Sequence, residues 1–146
     1  MRSPAPLSVK GSLIMTTREV VEKFLGLLAA GDPDAVAEVF AKEIDWYVPG
    51  SPRLPWTGRR TTRAEVADYL RTLGENIVPE ENVDNVEAVV VEGDHAILLG
   101  EFSRVARSTG RSYQMPIAMH FQVADGEIVK LYLYEDTFKV AQAYAQ

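Results

Sequence analysis

The chain has 146 residues, no cysteine and a formal net charge of −6, with 47% apolar and 25% charged residues. That length suffices for one domain with a core of its own and leaves little for a second, and no apolar run approaches the roughly 20 residues that cross a bilayer. The acidic balance opposes nucleic-acid binding, which relies on clustered Lys and Arg, while the lack of thiols excludes disulfides and thiolate metal centres and fits a cytoplasmic location.

Residues 1–14 (MRSPAPLSVKGSLI) are rich in Ser, Pro and Gly, and Lys10 and Gly11 break their apolar stretch too early for a signal-peptide core. They are expected to form a flexible arm ahead of a domain spanning 15–146. Thr16 and Glu19 have the spacing of a capping box, and Val20, Val21, Phe24, Leu25, Leu27 and Leu28 recur at helical spacing up to Ala30. Gly31 stops that helix. Asp32 and Pro33 then predict the cap and first position of a second helix reaching Phe40.

Ile44 to Val48 reads as a strand halted by Pro49, Gly50 and Pro52, so a Pro-rich loop carrying Trp56 follows it. Thr62 and Glu65 form another capping-box pair, ahead of a helix with Val66, Tyr69, Leu70 and Leu73 on one face and Gly74 at its end. From Val86 onward the chain predicts an antiparallel meander: 86–91, 96–105, 112–123 and 128–134, with turns at Gly93-Asp94, Thr109-Gly110 and Asp125-Gly126. A short helix begins near Thr137. Helices placed ahead of a meander imply α+β architecture. In the third of these strands Met115, Ile117, Met119, Phe121 and Val123 alternate with Gln114, Pro116, Ala118, His120 and Gln122, and the first set is expected to face the helices.

The AAGDPDAV hairpin, the WYVPG loop with PWTG, the capped helix and the closing LYLYEDTF together resemble the NTF2-like superfamily, in its SnoaL-like and ketosteroid-isomerase-related branch. The resemblance covers nearly all of residues 16–146. It implies a cone-shaped NTF2-like (cystatin-like) fold, with a curved antiparallel sheet wrapped around three N-terminal helices and enclosing one apolar cavity. It also implies a homodimer joined through the outer sheet face. Function does not follow from the fold, since relatives include isomerases, epoxide hydrolases, polyketide cyclases and plain binding modules.

Ketosteroid isomerase uses an aspartate base with a tyrosine and a protonated aspartate as oxyanion donors. The matching positions here are Val48, Phe24 and Ala118 or Met119, none of which can do that work. Limonene-epoxide-hydrolase-like relatives need an Arg-x-Asp pair on a mid-sheet strand, and EFSRVAR at 101–107 lacks it. Glu135 is the stand-in for their last-strand aspartate. It shares a face with Leu131 and Leu133, and an inward carboxyl among apolar groups would have its pKa raised toward general acid–base use. Glu101 is the second carboxylate considered, as a partner for Glu135 if it faces inward.

The expected ligand contacts are Trp46, Val48, Trp56, Tyr69, Met115, Ile117, Met119 and Leu133, with the Trp56 indole covering the cavity mouth. His95 and His120 stand without the spacing of a metal motif, and phosphate- or dinucleotide-binding patterns are absent. No cofactor or metal is expected. The functional expectation is a small hydrophobic ligand, either processed by a cofactor-independent isomerase, cyclase or hydratase using Glu135 or simply bound; a dimeric scaffold without an open pocket is the remaining alternative.

Overall fold

A computed structural model describes residues 15–146, so the arm expected at 1–14 lies outside the described residues. Helix α1 spans Thr17–Ala30, and Thr16 caps it: its side chain accepts from Glu19 N at 3.1 Å, while Glu19 accepts from Thr16 N at 2.8 Å. Gly31, at φ 81°, ends it in the left-handed region. Asp32 then caps α2, Pro33–Ala37, by accepting from Asp34 N and Ala35 N. This helix is shorter than the sequence predicts. Val39 and Phe40 are buried instead, and Phe40 opens strand β1, Phe40–Val48, beside Ile128.

Strand β2, Gly58–Thr62, lies on the edge of the sheet and pairs with β1 through Trp46 and Arg60. Its sequence, GRRTT, has no apolar residue, and the backbone ladder to β1 holds it. Helix α3, Arg63–Asn76, runs two residues beyond Gly74. Glu65 secures its start by accepting from Thr61 N, Thr62 N and Thr62 Oγ1, each at 3.0 Å.

A short 3-10 turn at Pro79–Glu81 leads into β3, Val83–Glu92; β4, His95–Val105; β5, Ser112–Ala124; and β6, Glu127–Tyr134. Helix α4, Thr137–Tyr144, closes the chain under an Asp136 cap. The sheet order is β2-β1-β6-β5-β4-β3, antiparallel throughout except for the parallel β1/β6 pair. Register shifts in β1, β3 and β6 bend this sheet. Its concave face packs on the helices, with Phe24 of α1 edge-on to Phe121 at 5.3 Å and to Phe40 at 5.9 Å. The result is an α+β cone, curved and unclosed.

Within β5, Met115, Ile117, Met119, Phe121 and Val123 are all buried, as the alternation predicts. At Gly100 of β4 an added Cβ would lie 2.2 Å from Asn85 O, so the absence of a side chain lets β3 approach closely beside its bulge. No helix among the described residues is long and apolar enough to cross a membrane.

Candidate functional site

A cavity of about 390 Å³ lies between the helices and the concave face of the sheet, within the range of small-molecule sites. Phe24 and Leu28 line it from α1, Val36 from α2, Val66, Tyr69 and Leu70 from α3, and Trp46, Val48, Met119, Leu131 and Leu133 from the sheet. Exposed Gly31, Asp32, Arg71 and Pro79 also border it, so its mouth lies where the α1–α2 turn meets α3 and the 3-10 turn. Trp46 packs edge-on against Tyr69, 4.8 Å between ring centroids. Its Nε1 is buried without a hydrogen-bond partner, as is Oδ1 of Asn82 on another wall of the cavity.

One wall is charged. Arg104 of β4 turns inward, stacks over the Phe102 ring with its guanidinium carbon 4.4 Å from the centroid, and pairs with Asp84 of β3. It also donates to Ser103 O at 2.9 Å. Asp84 sits opposite Phe102 in the β3/β4 register, which puts both on the inner face with Arg104.

Beyond this wall is a second hollow of about 30 Å³, little more than the room of a water molecule. Tyr69, Leu73, Phe102, Arg104 and Leu133 border both hollows, so they form the partition. The small hollow alone is bordered by Trp56, Tyr113, Met115, Glu135 and Val140. Glu135 is half-buried, immediately after β6. Burial pushes its carboxyl up to about 7, against a smaller opposing pull from the Arg104 cation. Burial, with the nearby Glu135 charge, also raises the Tyr69 hydroxyl far above its ordinary range, and that group stays neutral. Tyr144 of α4 packs on two of the residues that line the hollow: its ring lies edge-on to Trp56 at 4.8 Å, and its hydroxyl bonds Asn76 O at 3.0 Å and the Tyr113 hydroxyl at 3.2 Å.

The residues expected from sequence therefore divide. Trp46, Val48, Tyr69, Met119 and Leu133 border the main cavity, while Trp56, Met115 and Glu135 border the small one, together with Tyr69 and Leu133. Ile117 is buried and borders neither. Trp56 is only 3% exposed and sits under α4, so the main mouth is not roofed by its indole. Glu101 points to the outer face, accepts from Gln114 Nε2 at 2.6 Å, and borders an open polar groove with Lys139; it does not meet Glu135. Nothing in the sequence pattern marks Arg104, Asp84 or Asn82 as bordering the cavity. Alternation in β4 leaves the direction of Arg104 undecided, because both faces of that strand carry apolar residues.

The sequence pattern of a SnoaL-like domain matches residues 21–131. An NTF2-like protein from Burkholderia thailandensis is similar in structure, with a TM-score of 0.81 and 27% identity over 91% of this chain and 100% of that one. A Catenulispora acidiphila protein with a ketosteroid isomerase-like fold, bound to trimethylamine, superposes with a TM-score of 0.72 at 17% identity, covering 90% of this chain and 96% of its own. A candidate polyketide cyclase from Pseudomonas putida gives 0.70 at 15% identity, covering 90% and 99%. No curated protein matches the sequence.

Proposed function

Since the chain belongs to the SnoaL-like family, with that domain spanning residues 21–131, we propose that its main cavity holds a small hydrophobic molecule and that Glu135 exchanges a proton with it. The reaction class is a cofactor-independent isomerisation, cyclisation or hydration. The carrying observation is the placement of the Glu135 carboxyl, pushed up to about 7 by burial, in the small hollow that shares a wall with the apolar cavity. Near neutral pH such a group is present as both acid and base, the condition for efficient proton transfer.

The remaining residues have consistent roles in this reading. The apolar walls from α1, α3 and the sheet bind and orient the ligand and exclude water. Tyr69, neutral and bordering both hollows, offers a hydroxyl to a substrate oxygen at the partition. Arg104 supplies positive charge where negative charge would develop. The ligand reaches Glu135 by extending past Phe102 and Leu133 or through their movement, since the carboxyl does not border the main cavity. That separation also favours a second reading, in which the same cavity belongs to a non-catalytic binding module. On the outer face, Leu99 and Tyr134 stand 39% and 50% exposed, which supports a homodimer through that face as part of the proposal.

The test is incubation of hydrophobic ketones, polyketide-like and terpenoid compounds with the protein in deuterated water, following product formation and deuterium incorporation. Incorporation by the wild type that Glu135→Gln abolishes, with folding intact, is the expected result. Equal incorporation by both proteins removes Glu135 from the mechanism, and tight binding without turnover selects the binding module.

A further inference from the structure

Glu135 shares the small hollow with Tyr69 from α3, Arg104 and Phe102 from β4 and Tyr113 from β5; the Tyr144 hydroxyl of α4 lies within reach of its charge, and Arg60 stands over the Tyr69 ring, 5.2 Å from its centroid. Asp136, next in the chain, is exposed and caps α4. Arg104 is the only cation bordering the small hollow among the described residues. An arginine beside a half-buried carboxylate ordinarily pairs with it and holds it ionised. Here Arg104 has another partner. Its Nη1 bonds Asp84 and Ser103 O, and Asp84 borders the main cavity and not the small one. The Phe102 ring beneath the guanidinium fixes the same orientation.

We propose that Asp84 is a positioning residue: by engaging Arg104 on the main-cavity side, it keeps that cation from pairing with Glu135 and leaves the carboxyl free to carry a proton. The tether is a feature of the folded chain, whereas its value for turnover rests on the acid–base role proposed above. Asp84 lies on an edge strand some fifty residues from Glu135 in sequence, and its influence passes through Arg104.

The experiment is a pH titration of the Glu135 side-chain carboxyl by carbon NMR, with Glu135→Gln identifying the resonance. The wild-type midpoint is expected near 7. Asp84→Asn releases Arg104 to Glu135, and the midpoint falls toward the ordinary carboxylate range. Arg104→Met removes the cation, and the midpoint rises above the wild-type value. In the Arg104→Met background, Asp84→Asn then changes little, because its route is gone. An unmoved or raised midpoint in Asp84→Asn overturns the proposal. So does an equal fall in both backgrounds, which assigns the effect to the Asp84 charge alone. If Asp84→Asn does not fold, Asp84→Glu is expected to keep the wild-type midpoint and Arg104→Met still to raise it; failure of either overturns the tether. All these readouts are independent of turnover, so a chain that never turns over a substrate can still show the tether, and an active one can lack it.

Discussion

The large cavity and the small hollow behind it differ in kind. The first has volume, an open mouth and mostly apolar walls; the second has almost no volume but holds the carboxyl that burial pushes up to about 7. The two share α3, β4, β5 and β6, but α1 and α2 line only the large cavity, and α4 and the Trp56 loop line only the small hollow. What joins them is a partition in which Arg104 and Tyr69 are the polar members. A fold of this type can thus change its ligand by altering the cavity wall without disturbing the acid, or lose its acid and remain a container.

Three variants separate the two hollows, beginning with the largest effect. Glu135→Gln is expected to lower turnover of any substrate about 10²–10⁴-fold while leaving affinity for the cavity ligand nearly unchanged, checked by kinetics beside calorimetry. The same variant alters stability against pH. Glu135 has a folded value near 7 against an ordinary 4.5, so its favourable contribution is full below about 4.5 and is lost as the pH rises through about 7. Discounted for its partial exposure, the loss is about 1–2 kcal/mol. Thermal unfolding at pH 5 and pH 8 should show the wild type losing more than Glu135→Gln.

Leu70→Trp projects an indole into the main cavity and is expected to weaken ligand binding at least about tenfold, roughly 1.4 kcal/mol. The Glu135 titration should not move, which NMR can check in the same sample. Tyr144→Phe removes the hydroxyl bonded to Asn76 O and Tyr113 and should cost about 1 kcal/mol in denaturant unfolding. It acts on the small hollow, so ligand affinity should stay as it was.

Much of this architecture is legible in the chain because local rules and packing agree. Capping boxes at Thr16 and Thr62 mark α1 and α3, and strict alternation from Met115 to Val123 orients β5. Where they disagree, reading fails. GRRTT has no apolar face, so β2 reads as loop although its backbone completes the sheet edge. In β4, Ile97 and Leu99 on one face rival Leu98 and Phe102 on the other, and nothing local sends Arg104 inward or Glu101 outward. Asp84 sits in a strand whose residues are mostly exposed, where a carboxylate reads as solvated. Trp56 reads as a loop residue awaiting a ligand; its cover is Tyr144, contributed from nearly ninety residues further along. Glu135 was recoverable because Leu131 and Leu133 precede it at strand period on the inner face.

Everything functional depends on the main cavity being an apolar space that a molecule can enter. Crystals pressurised with xenon test this most directly, since xenon occupies apolar hollows of this kind. Xenon between Trp46, Val66, Met119 and Leu131 is the expected result. An interior that takes up none, with xenon only on the outer sheet face, contradicts it.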